Sequence, residues 1–324
     1  MTKQPVRFFR KYWFLFGLIT VCLLTLTDRS GVLAICGSWV KRHHGPGLVI
    51  VFIFLLSGFT LSPERLRSGL GDIAGVWLAA VNIFIVAPLV AGLFGFIPMD
   101  TGIIIGMFLV AVMPSTLSSG VVMTDAAGGN AAHALMITIA ANSLAVFTIP
   151  YALSLLLMTV GEFSAVHIDK TAIMLKIAFL VLLPLSAGMI FKLFLSDLYT
   201  RIGNKISIIN QVLILFIVWT AFSQTRGMLV EGGLAVGLIV LVVFAYHGIL
   251  LLSGWGLIRI SGRGRGRRES ILFMGAQKTL PLSIILQVSL FPQYGIALLV
   301  CVLHHIVHLI MDGYIVERLK ADRP

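Results

Sequence analysis

Long apolar stretches alternate with short polar joins along the whole chain. Leu48–Leu56, Ile103–Met113, Ile208–Trp219 and Leu234–Phe244 are uninterrupted or nearly so. Bridged by a few small or polar residues, such runs reach about 20 positions, enough for a helix to cross a bilayer. Backbone groups in lipid must pair internally, so these runs are helices, and their continuity excludes an outer-membrane barrel built on period-two alternation. The pattern predicts ten spans, at about 14–34, 47–62, 73–95, 103–122, 131–158, 172–195, 208–225, 234–258, 271–290 and 295–316. With no extramembrane domain between them, the chain reads as one all-α transmembrane domain. Its spans divide into repeat one, about 14–158, and repeat two, about 172–316. An odd number of spans per half gives the halves opposite topology, an inverted five-plus-five repeat.

Two segments interrupt the apolar pattern at equivalent places in the halves. The first runs from Met113 through Pro114, Ser118, Ser119, Gly120, Thr124 and Asp125 to Asn130, in and after span four; the second runs from Phe273 to Ser283 in span nine and holds Gly275, Gln277, Lys278, Thr279 and Pro281. Proline removes a backbone donor and glycine loosens a helix, so both segments can unwind near mid-membrane. Unwound backbone survives there only inside protein or along a water-filled cavity. Paired, interrupted spans of this kind point to the binding site of a transporter. Pro88, Pro150 and Pro184, without the same density of hydroxyls and amides around them, read as ordinary kinks.

Composition agrees: 58% of residues are hydrophobic, 11% are charged, and the mean hydropathy is +1.02. The net charge of +11 sits in short joins, which leaves no soluble domain for nucleic acid to bind. With the N-terminus inside, cytoplasmic segments hold 17 Lys and Arg against six on the other side, with Lys278, inside span nine, assigned to neither. That bias predicts a multi-pass protein of the cell (inner) membrane with both termini cytoplasmic. The Arg-rich stretch Ile260–Arg268 is then a positive-inside loop. Lys3, Arg7, Arg10 and Lys11 precede an apolar stretch without a small-x-small cleavage site, which predicts a retained first helix. Cys22, Cys36 and Cys301 follow no metal or redox spacing.

An ammonium at mid-span costs a few kcal/mol, so Lys278 must face a cavity or a partner. Two readings stand side by side: a proton-coupled switch, or a structural cation bonded to carbonyls of the unwound segment, with Asp125 as a conceivable counter-charge. Asn82, Asn142, Asn210 and Gln211 read as helix-to-helix hydrogen-bonding residues, and His133 as a packed histidine. His304 and His308 share a helix face, but no carboxylate or cysteine at fitting spacing joins them, so no metal site is expected. No enzyme constellation stands out: there is no HExxH, no pair of intramembrane aspartates, and no base for Ser118 or Ser119.

The stretch from Pro114 through Ser118, Ser119 and Thr124 to Asn130 resembles the fourth-span motif of the bile acid:sodium symporter family, and Gly275–Leu280 resembles its ninth-span motif. Together they are most similar to its YfeH-like branch. The resemblance implies panel and core domains, with broken spans four and nine crossing in the core. It puts Ser118, Ser119, Thr124, Asn130 and Thr138 at the first crossover and sodium ligands, and Gln277 on the glutamine of the second motif. The chain departs from the pattern where Phe273 replaces a glutamate, Lys278 an asparagine and Ala134 a serine, and where Asn82 stands near an expected third-span glutamine. Loss of that carboxylate and gain of a cation should repel sodium. The expectation is a secondary active transporter of a small organic anion working by alternating access, proton-coupled or uncoupled, with Thr279 beside Lys278 at the site and no cofactor beyond a doubtful sodium. The alternatives are an ion/proton antiporter, a sodium-coupled symporter of a bile-acid-like or other organic anion, and a non-transporting membrane regulator. Nothing in the sequence chooses between monomer and homodimer.

Overall fold

A computed structural model describes residues 3–61, 70–160, 169–231 and 235–321. Every regular element among them is helical. In chain order these are α1 (Lys3–Thr27), α2 (Val32–Arg42), α3 (Gly45–Thr60), α4 (Ile73–Phe94), α5 (Thr101–Ala111), α6 (Ser119–Ala126) and α7 (Ala131–Met158). Then follow α8 (Lys170–Phe194), α9 (Ser196–Glu231), α10 (Ala235–Ser261), α11 (Arg267–Ala276), α12 (Leu280–Leu290) and α13 (Gly295–Ala321). Arg65, Arg67 and Arg323, three of the 17 Lys and Arg counted as cytoplasmic, lie outside the described residues.

Among the described residues, seven helices are long and apolar enough to cross a membrane, or up to eight if the bent pair α1 and α2 counts as one. The α11–α12 pair is one of the seven. The expected first span, to residue 34, ends instead at Thr27. Asp28 accepts from the amides of Ser30 and Leu33, Gly31 turns the chain at φ +72°, and α2 leaves at 109° to α1. Glycine suits that left-handed position because it has no Cβ to clash.

Two helices carry a widened turn. In α4 it covers Asn82–Val86 and the Ala87 amide reaches back five residues to the Asn82 carbonyl; in α8 it covers Ala178–Leu182 and the Leu183 amide bonds the Ala178 carbonyl. Each is followed by a proline, Pro88 or Pro184. In this register the next donor to the Ile83 carbonyl would be the amide of residue 88, and proline has none. Pro88 is therefore more than a kink, because it leaves one carbonyl free in the interior.

The helices pack as two groups. In one, α3 crosses α8, and α9 lies against α1, α2 and α3. The α3–α8 approach depends on Gly58 and Gly188, where a Cβ would collide with the carbonyl oxygens of Leu185 and Leu55. Close backbone approach through small residues is a recurrent basis of helix association in lipid. In the other group α5 and α10 pack on α13, while α11 packs on α4, α6, α7 and α10. The α11–α12 segment is the most enclosed long span, 89% buried against 33% for α4 and α8. One end of the bundle is tied by Asp72 to Arg263 (3.0 Å), Asn130 N to the Gly266 carbonyl (2.7 Å) and Lys192 to the Thr60 carbonyl (3.2 Å). The other end carries the Lys176–Ser289 contact, 2.5 Å.

Candidate functional site: the crossing of two broken helices

Span four breaks because α5 stops at Ala111 and Pro114 supplies no donor with which to continue it. Irregular chain follows until α6 begins at Ser119. In the second half α11 stops at Ala276, Gln277 and Thr279 are extended, and Pro281 opens the first turn of α12. The breaks touch: the Thr279 amide donates to the Pro114 carbonyl at 3.0 Å. From α7, Thr138 Oγ1 donates to the Thr116 carbonyl (2.9 Å), and Asn142 Nδ2 reaches the carbonyls of Thr138 (2.9 Å) and Ser115 (3.4 Å). Unwound backbone in the interior is thus paired to side chains, as a bilayer requires.

Lys278 is 2% exposed, and its Nζ donates to the carbonyls of Ile83 (2.8 Å), Ala111 (3.0 Å) and Met113 (3.0 Å). An ammonium has three hydrogens, and three acceptors meet it. Two lie at the C-terminal end of α5, where the helix dipole favours a cation. The third is the carbonyl that Pro88 leaves free. Asp125, expected as a conceivable counter-charge, is exposed on α6 and is not among these partners.

Gln277 carries the second network. Its Oε1 accepts from Thr116 Oγ1 (2.8 Å) and Ser119 Oγ (3.0 Å), and its Nε2 donates to Asp312 Oδ2 (2.7 Å). Asp312 Oδ1 in turn meets His247 Nε2 at 2.9 Å, and both side chains are wholly buried. The sequence reading overlooked this pair, although a carboxylate within span ten was itself the signal. It also corrects the expectation that the crossing lacks a carboxylate. Phe273 is apolar and packs with Ala127, Val316 and Leu319, but α13 delivers Asp312 to the same glutamine.

Three cavities line up along one face of α9. A vestibule of about 220 Å³ opens beside Ser118, Ser119, Ser207, Gln211 and Lys320. A small central cavity reaches Thr116, Ser118, Ser119, Asn210, Thr279 and His305. A third, about 430 Å³, lies at the other end beside Lys41, His44, Lys176, Ile217 and Thr220. Ser118, Ser119, Gln277, Lys278, Thr279 and Thr138 therefore meet at or beside the crossing. Other expected site residues stand apart. Asn82 joins α4 to α10 through the Leu250 carbonyl (3.0 Å) and Ser253 (2.6 Å). Asn130 Oδ1 caps α7 by accepting the His133 amide at 2.9 Å. Thr124 Oγ1 is buried without a partner, with its methyl against Gly129. His133 contacts Ser270 (2.6 Å) and the Asp72 carbonyl (3.1 Å), away from Ser118 and Ser119. Beyond the spans, burial works to raise the Asp72 carboxyl, but the hydrogen bonds from Arg263 and the Gly75 amide and the Arg263 charge outweigh it and hold it below the usual carboxylate range.

Of the oxygens that the resemblance assigns to sodium, Gln277 Oε1 accepts from two hydroxyls, Asn130 Oδ1 accepts from a backbone amide and Thr138 Oγ1 donates to a carbonyl, whereas Thr124 Oγ1 has no partner. In sequence, residues 12–321 match one family model. The chain belongs to the SBF-like CPA transporter family. This membrane transporter is 24% identical over 333 residues to Sodium/bile acid cotransporter 7-B of Xenopus laevis, covering 96% of this chain and 92% of that one. It is 25% identical over 281 residues to YfeH of Escherichia coli (strain K12), covering 84% and 83%. It is 26% identical over 285 residues to the Probable sodium/metabolite cotransporter BASS4, chloroplastic, of Arabidopsis thaliana, covering 82% of this chain and 64% of the plant protein. The chain thus spans just under two thirds of the length of that relative. The similarity to the YfeH-like branch expected from the two motifs holds, and these relatives are named as transporters, not enzymes.

Proposed function

We propose that this protein is a secondary active transporter that moves a small organic anion by alternating access, without a requirement for sodium. In this reading the ten spans form an inverted five-plus-five repeat, both termini face the cytoplasm, and α3, α8 and α9 belong to a panel against which the core carrying the crossing moves. The observation that carries it is the central cavity. The N-termini of α6 and α12 both open onto it, beside the hydroxyls of Ser118, Ser119 and Thr279. N-terminal dipole ends favour anions, and no carboxylate lines any of the three cavities along α9. The vestibule beside Lys320 is one access route and the basic cavity beside Lys41 and Lys176 the other. Lys278 serves as a built-in cation that holds the crossing together where relatives named as sodium cotransporters would use an ion.

The test is uptake into proteoliposomes of labelled anions, including a bile acid and small mono- and dicarboxylates, with internal and external sodium replaced by potassium. Saturable uptake that survives the replacement is expected. Strict sodium dependence would sink the role given to Lys278, and a pH-driven cation flux without any anion flux would favour an ion/proton antiporter.

A further inference from the structure

Four buried imidazoles gather beside the crossing, and the scheme above uses none of them. His305 lines the central cavity and stands edge-on to Phe14. Its ring centroid lies 4.4 Å from that of His308, which lies 5.7 Å from that of His247. His304 completes the group, 5.6 Å from His247 and 5.5 Å from His308. All four are at most 4% exposed. Ring nitrogens of three have no hydrogen-bond partner: Nδ1 of His247, Nε2 of His304, and both nitrogens of His308. Buried polar nitrogens without partners are costly and call for an explanation. A metal is not that explanation, since among the described residues no group of three or more His, Cys, Asp or Glu side chains is placed to hold one.

We infer that this cluster is a proton-binding site, reached from the central cavity at His305 and centred on His247, and that its occupancy is read at the anion site through Asp312 and Gln277. The inference rests on the transport reading above and names the ion that moves with the anion. With Asp312 accepting from both His247 and Gln277, the neutral His247 ring carries its hydrogen on Nε2 and leaves Nδ1 open. A proton from cavity water passes by way of His305 and His308 to Nδ1. One N–H bond forms there, the Nε2–H bond stays, and the product is an imidazolium facing a carboxylate. The added charge draws Asp312 toward His247 and weakens its hold on Gln277 Nε2. Gln277 Oε1 is the atom that fixes the hydroxyls of Thr116 and Ser119 at the cavity wall.

The surroundings suit that role. From α13, Asp312, His304 and His308 face His247. From the break, Lys278 is the nearby charge, with its hydrogens committed to carbonyls. On α11 the ionisable groups, Arg267, Arg268 and Glu269, sit in the first turn, at the end of the bundle tied by Asp72 and Arg263, and Glu269 is paired with Arg268 at 2.7 Å. From α4 the buried polar side chain is the uncharged Asn82. Tyr246, next to His247 on α10, spends its hydroxyl on the Ala87 carbonyl at 3.1 Å.

The test requires no substrate. In a chain with Cys22, Cys36 and Cys301 replaced by alanine, Ser207→Cys places a thiol on the vestibule wall, and Asp197→Cys in a parallel chain corrects for thiol chemistry. Labelling by a membrane-impermeant maleimide, as the ratio of the two, is expected to change about tenfold between about pH 8 and about pH 5. The change is expected to vanish in His247→Gln. A wild-type pH profile in His247→Gln would overturn the inference. If that variant does not fold, ¹⁵N-histidine spectra of a chain with His43, His44, His133 and His167 replaced by glutamine decide the matter. One remaining ring must gain a second proton over that interval, and four rings that keep one form would overturn the inference. Anion uptake with pH-independent labelling counts against the proton site alone, whereas pH-dependent labelling without uptake of any anion counts against the transport reading.

Discussion

Replacing Lys278 by methionine keeps the length and apolar stem of the side chain and removes its three donors. The carbonyls of Ile83, Ala111 and Met113 then lose their partner in the interior, where Lys278 is only 2% exposed. Each unsatisfied buried carbonyl costs about 1–3 kcal/mol, so the gross loss is roughly 3–9 kcal/mol. Removing the ammonium also removes its desolvation penalty of several kcal/mol, which offsets part of that loss and leaves a net destabilisation of about 1–5 kcal/mol. Pro88 supplies an internal check. Pro88→Ala adds a backbone N–H two residues beyond the widened segment, where it can pair with the Ile83 carbonyl. It should therefore cost little by itself and recover about 1 kcal/mol in the Lys278→Met background, the worth of one hydrogen bond. Thermal unfolding of the four purified chains in detergent forms a double-mutant cycle, and a coupling of that sign is the expected result. If Lys278→Met melts with the wild type and Pro88→Ala acts equally in both backgrounds, the ammonium is not what satisfies these carbonyls and the reasoning fails.

Gln277→Leu strips Asp312 of one donor and Thr116 and Ser119 of their shared acceptor, a loss of roughly 3 kcal/mol that should abolish anion uptake while leaving Gln277→Asn partly active in the same flux assay. Asp72→Asn should lower the unfolding temperature near neutral pH by removing the Arg263 pair, worth about 1 kcal/mol. Because the folded carboxyl lies below its unfolded value, that stability is present above about pH 4 and fades as pH falls through the folded value, so melting curves of the two chains should converge on the acid side of that value. Gly58→Ala drives a Cβ into the Leu185 carbonyl and should cost about 1–3 kcal/mol in thermal stability, whereas Gly47→Ala, which meets nothing nearby, should be neutral.

Hydrophobic pattern alone determined that this chain is helical and membrane-embedded, because lipid leaves the backbone no other way to pair its polar groups over stretches of that length. Pattern also located both breaks, since Pro114 and Pro281 forbid the regular donor pattern wherever they fold. The glycine turn at Gly31 was less legible: its apolar flanks read as one continuous span, and only the Asp28 cap and the left-handed φ end α1 at Thr27. Partners across the bundle were not legible at all. Lys278 announced itself as an expensive charge, but its acceptors come from α4 and the end of α5, residues 83, 111 and 113, and only packing brings those carbonyls to one point. Asp312 and His247 are 65 positions apart on α13 and α10, and helical periodicity within either gives no sign that they meet. Composition and spacing are local properties, so they fix which groups need a partner in the membrane; tertiary structure decides which partner each one finds.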